Sequence, residues 1–145
     1  MANEKTNNDA ERNRQREIFE MNLLEMQIKQ LEQQFIAVEQ QIIEQQSISL
    51  HLDDLKKLKK GQSVLFPIGN NIFIEGNINN CEEVLVNVGA KVVVKKSIDE
   101  AKKLVEKQRD ILLETSEEIK QRIQDIMVRL NNLELKINSE SCGPE

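Results

Sequence analysis

Residues 8–60 contain neither proline nor glycine, and within them apolar side chains recur in alternating steps of three and four: Met21, Leu24, Ile28, Leu31, Phe35, Val38 and Ile42. That 3.5-residue period is the seam of a coiled coil, held here for three heptads. The intervening positions are Gln, Glu and Lys, as in "EMQIKQLEQQ", and keep the rest of the helix in water. Beyond Ile42 the strict continuation is Gln45, Ser49 and Leu52, whereas Ile48, Leu52 and Leu55 offer a seam out of phase with it, so a stammer or local loosening is expected. "KKLKKG" places lysines against the negative end of the helix dipole and then supplies Gly61 for a left-handed cap, which predicts a stop near Lys60.

A second segment with the same character begins at "SIDEA", where Ser97 and Glu100 have the spacing of a capping box. Its seam reads Ile98, Ala101, Val105, Gln108, Leu112, Thr115 and Ile119. It then slips by four residues to Ile123, Ile126, Leu130, Leu133 and Ile137, a stutter. Gln108 and Thr115, polar within the seam, are read as setting register. "NSESCGPE" ends the helix. At ~1.5 Å per residue the two helices would run ~75 Å and ~60 Å, against a radius of gyration of ~15 Å for a compact domain of this size. Neither fits inside a globule, so each is expected to bury its seam on the other in an antiparallel pair that sets Met21 near Leu133.

Between the helices the period falls to two. Val64, Phe66 and Ile68 alternate, "GNN" turns, and Ile72 and Ile74 resume the alternation; Val84, Val86 and Val88 lead into "GA", and Val92 and Val94 lead out. These are two β-hairpins, the second read with a type II′ turn that has Gly89 first. Pro67 removes one amide and marks its strand as an edge. Two isolated hairpins are marginal in water and leave strand edges unpaired. The block is therefore read as an assembly element. The expected class is α+β: a long antiparallel two-helix coiled coil with two β-hairpins inserted between the helices. Residues 1–145 form a single unit, with helix 8–60, hairpins 63–96, helix 97–138 and a flexible tail over 139–145.

Composition removes several function classes. With no Trp, no Tyr and four Phe, the chain has few large side chains for a globular core, and its 39% hydrophobic and 31% charged residues suit amphipathic helices. A net charge of -5 argues against nucleic acid. No apolar run approaches a membrane span and the start "MANEKTNNDAERNRQRE" is no signal peptide, so a soluble, cytoplasmic protein is expected. Cys81 and Cys142 form no CxxC pair and are read as reduced thiols; His51 is read as a solvated helix residue. No phosphate-cradling motif, metal set or nucleophile with a base is visible, so no cofactor, metal or catalytic residue is expected and the chain is not read as an enzyme.

With helix, two hairpins and helix in hand, "VLFPIGNNIFIEG" followed by "EEVLVNVGAKVVVKKSIDEA" resembles the alpha-type subunits of the prefoldin family, with the gamma-type prefoldins the nearest alternative. The resemblance covers nearly the whole chain, and two hairpins favour the alpha class over the one-hairpin beta class. It implies an ATP-independent holdase: two alpha-type with four beta-type subunits joined by their hairpins, coiled coils that hold non-native polypeptides at their tips, and transfer to a group II chaperonin. The alternative is a filament or scaffold in which the hairpins propagate end to end.

With the hairpins central, both termini lie at the tip, where Ile18, Phe19, Met21, Leu23, Leu24 and Met26 face Ile126, Met127, Leu130, Leu133 and Ile137 as candidate client-binding residues. "MNLLEM" spreads apolar side chains over more than half the helix circumference, more than one seam can bury. Met21, Leu24, Ile126, Leu130 and Leu133 lie on the seam and read first as coiled-coil core; Phe19, Leu23, Met26 and Met127 lie off it and read as client contacts. Methionine suits such a surface because its thioether repacks against varied partners. "ERNRQRE" reads as a solvated face, with chaperonin docking the alternative.

Overall fold

A computed structural model describes the backbone of residues 2–141 and the side chains of residues 2–139. The order is α1 (Ala2–Lys57), β1 (Ser63–Gly69), β2 (Ile72–Asn77), β3 (Glu83–Gly89), β4 (Val92–Ser97) and α2 (Ile98–Ser141). This is the expected α+β class. Two compact units result, one of Met1–Glu39 with Glu114–Glu145, the other of Gln40–Leu113.

The period-3.5 pattern gives helix because it stacks one apolar stripe along a chain free of breakers. In the first unit Leu24 and Ile28 are buried on α1 and Ile119 on α2. Lys136 donates to Glu17 Oε1 at 2.8 Å, Arg129 Nε donates to Glu20 at 2.8 Å, and Ser116 Oγ donates to Glu39 at 2.9 Å. Partners advance on one helix as they retreat on the other, so the helices run antiparallel. In the second unit Leu52, Ile98 and Ala101 form a buried cluster with Leu55, Val105, Val84 and Val86 packed against it. Lys102 donates to Asp53 at 2.7 Å, and Lys56 pairs with Asp99.

Several boundaries and phases differ from expectation. α1 begins at Ala2 rather than residue 8, because its polar first turns contain nothing that breaks a helix. It ends at Lys57 rather than Lys60: Lys59 accepts from Gln62 N–H at 3.1 Å in a separate turn, and Gly61 (φ 85°) serves that turn, not the helix cap. No stammer follows Ile42. Gln45 and Ser49 are half-buried on the strict seam, while Ile48 is exposed and faces a groove shared with β3 and Leu104. On α2 the slip comes earlier than residue 119. Gln108 is exposed, Arg109 is half-buried and Ser116 is buried, so the two consecutive steps of four fall at Ala101, Val105 and Arg109. α2 also continues to Ser141, past the expected start of a tail at residue 139, since "NSES" holds no breaker. Cys142, Gly143, Pro144 and Glu145 lie outside the described residues.

β1 pairs with β2 and β3 with β4, both antiparallel, and the two sheets stay separate. The second turn is not Gly89–Ala90 of type II′. Gly89 is the last residue of β3, and the loop is Ala90–Lys91 with φ 49° and 62°, both positive, as in a type I′ turn. At the other end Glu100 N–H donates to Ser97 Oγ at 3.2 Å, the forward half of the capping box that starts α2.

Candidate assembly and binding surfaces

The strands alternate as the sequence requires, but they bury almost nothing. On hairpin 2, Val84 and Val86 are half-buried against the helix cluster, while Val88, Val92 and Val94 are exposed. On hairpin 1, Val64 is half-buried and Phe66, Ile68, Ile72 and Ile74 are exposed. Phe66 lies over Gly76, where an added Cβ would stand 2.7 Å from the ring; the missing side chain is what lets the aromatic face settle on β2. The opposite faces are apolar too. Leu65 is 66% exposed and Leu85 68%, with Phe73 and Val93 beside them. Reading only the alternating set missed these four, because attention to one face of a period-2 pattern discards the other.

The hairpins also repeat each other. Ser63↔Asn77, Leu65↔Glu75 and Pro67↔Phe73 have counterparts twenty residues on in Glu83↔Ser97, Leu85↔Lys95 and Asn87↔Val93, and each hairpin carries a register shift in the same place, before Gly69 and before Gly89. Ile68 and Val88 are the extra residues at these bulges, which increase local twist.

In the helical unit of Met1–Glu39 with Glu114–Glu145 the candidate binding residues divide by heptad position. Leu24 is buried; Met21, Ile126, Leu130, Leu133 and Ile137 are half-buried. Ile18, Phe19, Leu23, Met26 and Met127 are exposed, Phe19 at 65%. Ile36, Val128 and Leu135 add exposed apolar surface that the sequence reading did not single out. "ERNRQRE" is solvated except at its last residue. Glu17 is buried with Oε1 on Lys136 and Oε2 without a hydrogen-bond partner. Counting back four from Met21 places Glu17 on the seam, a signal present in the sequence. Lys120 stands 5.5 Å from the centre of the half-buried Phe35 ring, a cation–π contact that covers the seam from outside.

Ion pairs hold the helices where they meet the hairpins. The hydrogen bond from Lys102 holds the Asp53 carboxyl below its usual range and raises Lys102 in turn; the hydrogen bond from Lys56 lowers Asp99. These groups are open to water, so the pairs orient more than they stabilise. Cys81 is a free, half-buried thiol between the hairpins. Among the described residues no cluster of His, Cys, Asp or Glu is placed to hold a metal, and no helix is long and apolar enough to cross a membrane.

A family model described as Prefoldin subunit matches residues 24–141, from the first buried seam leucine through both hairpins to the end of α2. The chain belongs to the prefoldin family. It is similar to the prefoldin subunit alpha of Methanopyrus kandleri, 30% identical over 85% of this chain and 78% of that one. It is also similar to the prefoldin subunit alpha of Thermofilum pendens, 25% identical over 86% of this chain and 96% of that one. Among solved structures, a filamentous prefoldin from Methanocaldococcus jannaschii superposes with a TM-score of 0.72, covering 79% of this chain and 94% of that chain at 24% identity, a likeness of fold. The chain is an alpha-type prefoldin subunit, of a chaperone family.

Proposed function

We propose that this prefoldin subunit is an ATP-independent holdase acting as one unit in the cytoplasm. Its hairpins join beta-type subunits, two alpha with four beta. The ends of its helices hold non-native polypeptides and release them to a group II chaperonin. The observation that carries this reading is the set of exposed side chains Phe19, Leu23, Met26 and Met127 beside a seam that is already occupied. An unfolded client offers apolar segments of no fixed shape, and long, flexible side chains in water can accept them by removing apolar area from solvent. The test is light scattering of a denatured client in the presence of the assembled hexamer. Suppression should vanish when the first ~26 and last ~20 residues are removed, since those residues hold the distal heptads; suppression that survives would sink the assignment.

A second reading has its own support. Both hairpins leave strand edges unpaired and apolar on two faces, and the similar fold named above belongs to a filamentous prefoldin. In that reading the hairpins propagate without a beta-type subunit. Size-exclusion chromatography separates the two: a discrete hexamer only on mixing with a beta-type subunit supports the first, and very large species from the chain alone support the second.

A further inference from the structure

In the unit of Met1–Glu39 with Glu114–Glu145 a groove of about 410 Å³ runs between the helices. Gln27, Gln30 and Gln34 of α1 line one side, and the steps of three and four between them put all three on one helix face. Arg122 and Asp125 of α2 line the other side, with half-buried Leu31 and Ile126 of the seam between the two. The three glutamines are exposed, and their side-chain amides make no hydrogen bond among the described residues. Arg122 makes no ion pair there, and Asp125 accepts from Gln121 Nε2 at 3.1 Å. The groove adjoins the exposed apolar surface described above: Met127 follows Ile126 directly, and Met26 lies one turn before Gln30.

We propose that this groove binds the backbone of an extended segment of non-native polypeptide through the side-chain amides of Gln27, Gln30 and Gln34. The proposal rests on the holdase reading and adds a contact that does not depend on the client's sequence. One cation and one anion leave the lining without net charge, so it favours neither an acidic nor a basic ligand. Each glutamine amide both donates and accepts, and its chemical match is the peptide unit, which does the same. An extended chain turns N–H and C=O groups to one side at every second residue, about 6.7 Å apart. Gln30 and Gln34 lie about 6 Å apart along α1, within the adjustment of their flexible side chains. A segment seated there can also lay apolar side chains on Leu31 and Ile126. A helix of a second copy fits less well, because its backbone groups are already paired within the helix.

Fluorescence anisotropy of the full chain with two labelled peptides tests this. Both have one uncharged sequence rich in leucine and serine, and one is N-methylated at alternate residues so that one edge of its backbone cannot donate. The wild type should bind the plain peptide about tenfold more tightly than the methylated one, the worth of one or two hydrogen bonds. Gln27→Ala, Gln30→Ala and Gln34→Ala together should weaken the plain peptide by about as much and remove the discrimination. Alanine favours helix, and far-UV circular dichroism checks that α1 is kept. Equal binding of the two peptides by the wild type overturns the proposal, as does a triple variant that discriminates like the wild type. Preference for an acidic peptide that fades with salt and with Arg122→Ala assigns the groove to charge and overturns it too. So does self-association that is lost in the triple variant and comes without peptide binding, which gives the groove to a second copy. A wild type that binds neither peptide yet suppresses aggregation of a denatured client overturns the proposal and leaves the holdase reading standing. A wild type that does neither overturns both.

Discussion

The helices and the hairpins of this chain both carry regular apolar patterns, yet the patterns end in different places. Every buried side chain among the described residues lies on α1 or α2, and none lies on a strand. A helix pair can close its stripe within one chain, because each seam finds the other's. A two-stranded sheet has two faces and two edges, and here only Val84 and Val86 of hairpin 2 lie against the helix cluster. The remaining strand surface is surplus that a second chain can bury. The helices carry a smaller surplus, at positions off the seam, and that surplus is scattered rather than paired.

The largest effect is expected at the hairpins. Replacing Leu65 and Leu85 together by Asp should abolish assembly while leaving helix content unchanged, since both are exposed in the single chain; size-exclusion chromatography and far-UV circular dichroism read the two effects. Neighbouring isoleucines on α1 sharpen the helical side. Ile42 is 5% exposed and Ile43 63%, so Ile42→Ala should cost about 2–5 kcal/mol in urea unfolding, and Ile43→Ala should change stability by no more than about 0.5 kcal/mol. Equal effects would mean that the seam lies elsewhere.

Off-seam positions should separate binding from stability. Serine at Phe19, Leu23, Met26 and Met127 together is expected to remove aggregation suppression with only a small shift in melting temperature, whereas Leu24→Ala should lower the melting temperature. The smallest effect concerns pH. The Asp53 and Asp99 pKa values are lowered in the folded chain, so their contribution is present above the ordinary carboxylate range and is lost as pH falls through the lowered values. Asp53→Asn should therefore flatten the acid limb of the stability profile slightly; an unchanged limb would show that the Lys102 pair adds nothing.

Much of this was legible in the residues. The seam from Met21 to Ile42 was readable because a coiled coil demands an apolar residue at each a and d position, and no glycine or proline interrupts it. Both hairpins were readable because alternation is a local property of an extended chain. The buried Glu17 was missed because a carboxylate at a seam position resembles a solvated one until Lys136 is seen to meet it. Arg109 and Ser116 were missed for a related reason. A heptad count carried through Gln108 and Thr115 cannot locate a slip, since both positions are polar and so are their neighbours Arg109 and Ser116, which leaves no apolar residue to mark the change of step. The type I′ turn escaped because Gly89 suggests a loop position, whereas pairing of Gly89 with Val92 moves the loop one residue on.

What the sequence determined by itself is therefore the order of elements and the period of each, since both follow from short-range geometry and from which side chains avoid water. Tertiary structure decided which hairpin face lies against the helices, and so which leaves Leu85 and Lys95 in water. It also set Leu65 across the ladder from Glu75 at the matching place on hairpin 1. Alternation alone assigns no face to the inside; that depends on what stands across the gap, and here it is the Leu52, Ile98 and Ala101 cluster at the base of the helices.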